Sequence, residues 1–441
     1  MTPTLYLSVE NATRELHAKL LIGCQALSLG YEVVLGQQWL LNHNLGQFPA
    51  GLVLFKGCNK VQTNNMGVAR RFGHRTACVH EEGFGVASRS WQLQGVDQAM
   101  PKVCDLFLAQ GKVQAQAFAV PRKQARAIAV TGNPRSDLLR AELNPLFRDE
   151  AAELRARYGR FILFDGNFGT INSVWGSVDK LYGMSAKLDG FAPDDPHKIS
   201  EFNSVLRWER ANLGAMRRLM ALVEAQLPEV TVIVRPHPSE RLEPWQKTYD
   251  GNARVKVVRD GNHLSWILAS EVMVHCGCTT GLEAMVMDHP VLNLRPDDNW
   301  VQDIHTSRFV NHVVATPEEG LAVLRAHLAG DPVLRQARQR HLKDIAVHLS
   351  GVTGGFAFEA AATAMGGLLN AQGAPPDGRP WQVPAGMARM IERSDYFKQK
   401  MSATAEEVNA IIARFGQLLG RFAGIQAETI GDSLFVLRRA A

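Results

Sequence analysis

A chain of 441 residues is too long for one ordinary domain and long enough for two, each with its own hydrophobic core. Apolar residues make up 46% of the chain and charged residues 21%, a typical globular composition that excludes wholesale disorder. The 48 basic and 43 acidic residues give a net charge of +5. This mild excess favours anionic ligands such as nucleotides, and without a Lys/Arg run it argues against nucleic-acid binding.

Short apolar strands alternate with helices through the first 150 residues, and Gly, Pro or polar residues end most of them. This alternation predicts a parallel sheet with helices on both faces, which binds ligands at the carboxyl ends of its strands. A charged connecting helix over 144–157 marks the end of this first lobe. Strands are predicted over 4–9, 32–36, 51–55, 76–80, 103–111 and 127–134, and helices over 12–29 and 65–72.

The second lobe repeats the same pattern. Its strands are predicted over 160–169, 230–238, 253–260, 271–281 and 290–296, and its helices over 202–226, 263–270 and 282–289. The segment 170–201 reads as irregular and is long enough to be functional, for example as an acceptor-binding lid. From about 318 onward the pattern is mainly helical, with a Pro/Gly-rich break over 373–386.

These patterns predict an α/β protein with two Rossmann-like lobes that face a cleft, a GT-B-like arrangement, and a helical C-terminal tail. The expected domains are an acceptor-side lobe over 1–150, a nucleotide-sugar lobe over 151–330 and the tail over 331–441. The amphipathic stretch 405–422 suits docking onto another surface, although packing against the protein's own lobes is the commoner outcome.

The N-terminus lacks the basic and apolar segments of a signal peptide, and no apolar stretch reaches the roughly 20 residues that span a bilayer. We therefore expect a cytoplasmic protein, with any membrane association peripheral and at the inner face. The six cysteines are too sparse for a disulfide scaffold. Cys276 and Cys278 beside His275 suggest a metal site, but alternate strand residues point to opposite faces, so buried, inert thiols are favoured.

The first motif, His80-Glu81-Glu82-Gly83-Phe84-Gly85, directly follows a predicted strand. Paired carboxylates at a strand end suit general-base or positioning work on a hydroxyl, and their crowding should raise the pKa of one of them. A solvated acidic turn is the alternative, and the motif alone favours that alternative.

The second motif is Arg235-Pro236-His237-Pro238, at the end of an apolar strand. The two prolines fix the backbone, so the His237 ring is presented rigidly at the edge of the sheet. Histidine can donate a proton to a phosphate leaving group, and Arg235 can neutralise its charge. A structural histidine in a proline turn is the alternative, and the strand-end position favours function.

The third motif, Cys278-Thr279-Thr280-Gly281-Leu282-Glu283, joins a strand to a helix. Amides at a helix N-terminus together with two hydroxyls form a phosphate cradle. Thr280 and Glu283 also match a capping box, which is compatible with the cradle, and Glu283 is alternatively placed to reach the ribose of a nucleotide.

Other strand-end residues are weaker candidates. Asp165, in the stretch Asp165-Gly166-Asn167, suits a nucleophile or an electrostatic partner of an oxocarbenium-like centre, but it matches turn chemistry equally well. Arg135 ends the turn 132–135 and is a candidate ligand contact, whereas Lys56 and Lys60 are by default solvated. The dinucleotide fingerprint and the P-loop are both missing, which disfavours nicotinamide chemistry and P-loop hydrolysis.

Taken in order, E-E-G, R-P-H-P and C-T-T-G resemble the acidic-Gly, His-Pro and Ser/Thr motifs of bacterial transferases that use CMP-activated ulosonic acids, sialic acid or Kdo. The opening SVENATRELHAKLL, the G-N-P-R turn and the D-G-N-F-G strand end are more similar to the surface-carbohydrate biosynthesis group that contains retaining β-Kdo transferases. This resemblance covers about residues 1–330. CDP-glycerol polymerases of wall teichoic acid, which share a similar second-lobe histidine, are a rival, and so are an epimerase and a non-catalytic polysaccharide-assembly protein.

The resemblance implies transfer of a sugar, most simply Kdo, from a CMP-activated donor to a glycan or glycolipid acceptor of capsule or lipopolysaccharide, without a further cofactor or a metal. The basic residue before Pro-His-Pro is Arg235 in this sequence, whereas sialyltransferases commonly have Lys there. This difference from the family pattern leaves the positive charge unchanged. By resemblance the catalytic residues are Glu81 or Glu82 for the acceptor hydroxyl, His237 for the leaving CMP phosphate and Asp165 as nucleophile if configuration is retained. The substrate-binding residues are Arg235, Cys278, Thr279, Thr280, Gly281, Glu283, Asn167 and Arg135.

Overall fold

The computed structural model describes residues 3–89, 91–119, 127–297, 299, 301, 304–308, 312–336, 338–370 and 400–439. The chain divides into two compact units. Unit 1 comprises Met1–Phe84, Arg89–Leu143 and Ala346–Ala441, and unit 2 comprises Gly85–Ser88 and Asn144–Ile345. Within the described residues, no helix has the length and apolar character needed to cross a membrane.

Both units are built from strands and helices in alternation. The strands are β1 Thr4–Val9, β2 Glu32–Gln37, β3 Leu52–Phe55, β4 Arg75–Val79, β5 Leu106–Ala109, β6 Ala127–Val130, β7 Phe161–Asp165, β8 Thr231–Arg235, β9 Val255–Val257, β10 Val272–His275, β11 Val291–Leu294, β12 His312–Val314, β13 Ile425–Gly431 and β14 Leu434–Arg439. The helices are α1 Ala12–Ser28, α2 Gln38–Asn44, α3 Lys60–Arg71, α4 Met100–Val103, α5 Lys112–Ala119, α6 Pro134–Asp137, α7 Arg148–Tyr158, α8 Val178–Asp189, α9 Pro196–Gln226, α10 Glu243–Thr248, α11 His263–Ala269, α12 Thr279–Val286, α13 Pro317–Leu328, α14 Arg338–Ile345, α15 Ala357–Asn370 and α16 Ala405–Leu419.

Unit 1 contains an eight-stranded sheet in the order β13-β14-β2-β1-β3-β4-β5-β6. Strands β1 to β6 are parallel, and every residue of β1 and β3 is buried, as expected for strands covered by helices on both faces. Strands β13 and β14 form an antiparallel hairpin that pairs with β2. The hairpin extends the parallel sheet at one edge.

Unit 2 contains a six-stranded, fully parallel sheet in the order β12-β11-β10-β7-β8-β9. The long helix α9 packs against one face, and Met216, Leu219 and Val223 of α9 join a buried core with Val232 and Val274 of the sheet. The α/β class and the Rossmann-like pattern of both lobes are therefore confirmed.

The C-terminal region differs from the prediction of a separate helical tail over 331–441. Residues from Ala346 onward belong to unit 1, where α15 and α16 pack against α1. The strands β13 and β14 were not predicted. The Pro/Gly-rich break at 373–386 lies outside the described residues.

The prediction of an irregular segment over 170–201 was wrong. The segment holds α8 and the first turns of α9. Ser177 caps α8, and the side chain of Asp195 accepts hydrogen bonds from the amides of His197 and Lys198, with Pro196 at the first helical position. Asp195-Pro196 is a helix start, because proline is tolerated where its missing amide has no intrahelical partner.

Candidate functional site

Four polar residues form one row at the carboxyl edge of the sheet in unit 2. Asp165 is in register with Arg235 on one side and with His275 on the other, and His275 is in register with Asn293. Register partners on parallel strands project from the same face of the sheet. The sequence-predicted residues Asp165 and Arg235 are therefore neighbours, as the strand-end argument requires.

Asp165 lies at the centre of a network of ionisable side chains. Its side chain is buried, and burial raises its pKa to about 7, against the opposing effects of Arg235 and the Thr280 hydroxyl. The carboxylate of Glu283 adds to the rise. Atom Nε2 of His263 lies 3.5 Å from Asp165 Oδ2 and 3.6 Å from Glu283 Oε2, so the imidazole lies between two carboxylates.

His263 is a site residue that the sequence analysis missed. It is the first residue of α11, which follows β9, and the side chain of Asn262 caps this helix. The same strand-end reasoning that selected Asp165 applies to the turn after β9 and could have found it. The sequence analysis assigned 263–270 to a helix and considered no role for its first residue.

The His237 ring is held in a defined tautomer by its own turn. Its Nδ1 atom accepts a hydrogen bond from the backbone amide of Ser239 at 3.2 Å and lies 2.7 Å from the Ser239 hydroxyl. Because a backbone amide can only donate, Nδ1 is an acceptor and the proton of the neutral ring is on Nε2. The residue is exposed, so it presents an N–H donor at the sheet edge.

A buried carboxylate, Glu240, fixes the two loops that carry these residues. Its Oε1 atom accepts from the amides of Phe168 at 3.1 Å and His237 at 2.9 Å, and its Oε2 atom accepts from Trp245 Nε1 at 2.9 Å. The loop after β7, which also carries the partly exposed Asn167, is thereby tied to the loop after β8. Glu240 lies two residues after the Arg235–Pro238 motif, and the sequence analysis assigned it no role.

Helix α12 begins at Thr279, and its N-cap is Cys278, whose side chain makes no capping hydrogen bond. The prediction that Thr280 and Glu283 form a capping box was wrong, because the helix starts one residue before Thr280. The amide of Cys278 donates to Nδ1 of His275 at 3.1 Å, which fixes the start of the helix over β10. Glu283 is 6% exposed and faces His263.

Gly281 and Cys278 have structural reasons for their identity. A Cβ atom on Gly281 would lie 2.1 Å from His275 Nε2, so only glycine lets α12 pack this closely on the buried imidazole. Burial lowers the pKa of His275 to about 3 and keeps the ring neutral. Burial likewise raises the pKa of the Cys278 thiol to about 11 and that of Cys276 further, consistent with inert thiols.

In unit 1, Glu81 and Glu82 form a short 3-10 turn directly after β4. The Glu81 side chain is buried, 3.8 Å from Lys19 and 3.9 Å from Arg135, so the structure brings two predicted residues together. The Glu82 side chain is 62% exposed and lies 3.2 Å from Arg14.

The expected rise in pKa does not occur at Glu82. Desolvation raises its pKa, but Arg14 and Lys56 outweigh that effect and lower it below its usual value. The prediction considered only the neighbouring carboxylate and missed the cations that α1 and the end of β3 bring to the motif. The expectation that Lys56 and Lys60 are both solvated was wrong for Lys56, which is buried, whereas Lys60 is exposed.

A second set of charged residues at this edge was also missed. Glu10 directly follows β1 and pairs with Lys56, which directly follows β3, and with Lys400 at 3.3 Å. Glu15, on the first turn of α1, is fully buried and accepts from the amide of Glu10 at 2.9 Å. Convergence of the Glu82 motif with the His237 motif and α12 stays a prediction.

No protein-family model matches the chain, and no curated protein matches it. Among solved structures, MnaA from S. aureus with UDP is similar at 14% identity and a TM-score of 0.47, covering 84% of this chain and 97% of that one. HepE from Anabaena with UDP and glucose is similar at 11% identity and a TM-score of 0.42, covering 84% and 99%. The wall teichoic acid polymerase TagF is similar at 10% identity and a TM-score of 0.47, covering 84% and 89%. At these identities and TM-scores the matches do not bear on substrate or mechanism.

Proposed function

We propose that the protein is a glycosyltransferase that moves a ulosonic acid, most simply Kdo, from a CMP-activated donor to a hydroxyl of a growing surface polysaccharide or lipopolysaccharide. The observation that carries this proposal is the carboxyl edge of the sheet in unit 2. There His237 presents an Nε2–H donor, Arg235 supplies a cation, and α12 starts without a side-chain cap. Departure of CMP requires the charge on its phosphate to be neutralised, and these groups supply that.

In this proposal the neutral His237 ring donates a hydrogen bond from Nε2 to the departing phosphate and keeps its proton, so that CMP leaves as the anion. Its tautomer is the one this role requires, because the Ser239 amide occupies Nδ1 and leaves the proton on Nε2. Arg235 is held in place by a 2.6 Å hydrogen bond to the carbonyl of Asp260 and by stacking on Trp266 at 5.0 Å. The hydroxyls of Thr279 and Thr280 and the amides of the first turn of α12 contact the same phosphate.

Asp165 is the proposed nucleophile of a double-displacement reaction that retains configuration. Its ionised carboxylate attacks the anomeric carbon as the bond to CMP breaks, and the acceptor hydroxyl then displaces the enzyme carboxylate. With a pKa of about 7, Asp165 is partly ionised at neutral pH. Glu283 and His263 hold the carboxylate in place through the contacts at 3.5 and 3.6 Å.

Glu82, rather than Glu81, is the proposed acceptor-side residue. Glu81 is enclosed by Lys19 and Arg135 in unit 1, whereas most of the Glu82 side chain is exposed. The lowered pKa of Glu82 makes it a weak base, so it orients the acceptor hydroxyl rather than deprotonating it.

The first test is thermal denaturation with CMP, CDP, UDP and CDP-glycerol. A ligand at 100 times its Kd stabilises the folded state by about 2.7 kcal/mol, so selective stabilisation by CMP is expected. The His237→Ala variant should lose most of this shift, and His197→Ala, at an exposed position of α9, should keep it. The absence of a shift with every nucleotide would contradict the proposal.

The second test is mass spectrometry of the products formed with CMP-Kdo and an oligosaccharide acceptor. Transfer of one Kdo residue, abolished in Asp165→Asn and in His237→Ala, is the expected result. Transfer of glycerol phosphate from CDP-glycerol would instead identify a phosphotransferase. Stabilisation by CMP without transfer to any acceptor would favour a binding protein on the same scaffold.

A further inference from the structure

A cavity of about 300 Å³ lies in unit 2, at the opposite edge of the sheet from the polar row. Its lining includes Met285 near the end of α12, Val291 at the start of β11 and Arg338 at the start of α14. In a parallel sheet the start and the end of a strand lie at opposite edges. The cavity is therefore separate from the carboxyl edge that holds Asp165 and His237, and its volume is that of a small-molecule site.

Positive charge exceeds negative charge in the lining of this cavity. Among the described residues of the lining, the guanidinium groups of Arg335, Arg338 and Arg340 accompany the carboxylate of Asp288. Arg338 has a structural role, because it donates to the carbonyls of Met285 and Val286 and lies 3.1 Å from Asp288. These contacts satisfy the last carbonyls of α12.

The guanidinium groups of the other two arginines, Arg335 and Arg340, are less engaged by carboxylates and can bind a ligand. Arg335 reaches Asp288 only at 4.0 Å, and half of its side chain is exposed. Within the described part of the chain, no carboxylate lies within ion-pair distance of Arg340, whose guanidinium contacts His341 Nε2 at 3.5 Å. Two guanidinium groups with free donors are a typical arrangement for binding a phosphate or carboxylate group.

The pKa values of two histidines in the lining are lowered in part by the neighbouring arginines. Burial lowers the pKa of His289 to about 3, and Arg335 contributes to that decrease. The pKa of His341 is also lowered, first by burial and then by Arg340. The lowered pKa values favour the neutral form of both rings, and an anion in the cavity would face Arg335 and Arg340, while Asp288 pairs mainly with Arg338 at 3.1 Å.

The remainder of the lining is largely apolar. Val291, Val333 and Leu334 contribute to it, together with Val313, which is 43% exposed. An isolated inorganic anion would leave this apolar surface in contact with water. A ligand that joins an anionic group to an apolar group would cover both parts of the lining.

We propose that this cavity is a second ligand site, which binds a small phosphate monoester carrying an apolar substituent through Arg335 and Arg340. The site is independent of the proposed glycosyl transfer, since it shares no residue with the carboxyl edge. The chemistry fits a soluble phosphate monoester and the phosphate end of a short lipid equally. Glycerol phosphate serves as the probe for the first source and n-hexyl phosphate as the probe for the second.

Isothermal titration with inorganic phosphate, glycerol phosphate and n-hexyl phosphate tests the proposal. All three are expected to bind the full-length protein, and n-hexyl phosphate should bind about tenfold more tightly than glycerol phosphate because it also covers the apolar lining. Equal affinities of the two esters would overturn the apolar part of the proposal, and no binding of any probe would overturn all of it.

Variants locate the binding. Arg335→Gln and Arg340→Gln should each weaken n-hexyl phosphate binding by at least about tenfold, since each removes a charge-assisted contact. Arg325→Gln, on α13 of the same unit, is the matched control and should bind as the parent protein does. His237→Ala should keep the component of binding that Arg335→Gln and Arg340→Gln remove, which keeps this result separate from the fate of the proposed transferase. Unchanged affinity in both cavity variants would overturn the proposal.

Discussion

Replacement of Asp165 by Asn should stabilise unit 2, and the gain should grow with pH. Burial raises the pKa of Asp165 from its usual value of 3.8 to about 7, so ionising this carboxyl in the folded protein is costly. Stability due to this group is fully present below the unfolded-state pKa and is lost as pH rises through the folded-state pKa. Asparagine has nearly the same shape and never ionises.

The size of the effect follows from the shift. One pKa unit corresponds to about 1.4 kcal/mol, so the full penalty above pH 7 is of the order of 4 kcal/mol. At pH 5 only about a third of this penalty has developed. The difference in unfolding free energy between Asp165→Asn and the parent protein should therefore increase by about 2 to 3 kcal/mol between pH 5 and pH 8.

Urea denaturation of both proteins at several pH values measures this difference. Asp137 and Glu209, whose pKa values are also raised to about 7 by burial, titrate in both proteins, so their effects cancel in the comparison. Asp250→Asn, at an exposed position of unit 2, is the matched control and should show a constant difference across the range. Parallel pH profiles for Asp165→Asn and its parent would refute the assignment of a desolvated carboxylate.

Two further predictions concern the packing and hydrogen bonds of the site. Gly281→Ala should cost about 1 to 3 kcal/mol or more of unfolding free energy, because the new methyl group would overlap His275. Gly214→Ala, where the added methyl group would have nothing within 4 Å, is the control and should be neutral or slightly stabilising. Equal urea midpoints for the two variants would contradict this packing argument. Glu240→Gln should cost about 1.5 to 3 kcal/mol in the same assay, because an amide cannot accept from the donors on both carboxylate oxygens, while Glu243→Gln, at an exposed position, should cost little.

Most of the strands could be predicted because each is a short apolar run bounded by glycine or polar residues. The three-residue strand β12 was not predicted, and β13 and β14 were missed because they follow a long amphipathic helix. The strand β14 pairs with β2, about 400 residues earlier in the chain. Local patterns carry no information about such a distant partner, so the assignment of the C-terminal region to unit 1 was not accessible from sequence.

The sequence analysis selected Asp165 and Arg235 because each ends an apolar strand, and the structure places the two side by side. Their roles stay a prediction. The sequence analysis failed for residues that lie within a helix or in the interior of a unit. Lys19 is inside α1 and looks like an ordinary surface lysine, yet it is buried beside Glu81. Glu283 matched a capping box, but the true start of α12 depends on a hydrogen bond to His275, which only the three-dimensional register reveals.

Asp165 and Glu240, two of the buried carboxylates beside this edge, differ in the hydrogen-bond donors that surround them. Glu240 accepts from two backbone amides and the Trp245 indole, so its charge is fully used in holding loops together. Among the described residues, no backbone amide donates to Asp165, whose neighbours are instead the side chains of Arg235, His263 and Thr280. A carboxylate satisfied by backbone amides cannot attack a substrate without unfolding its own turn, whereas one surrounded by side chains can exchange those partners for a ligand. This difference supports the proposed role of Asp165 as nucleophile and the proposed role of Glu240 in positioning the loops.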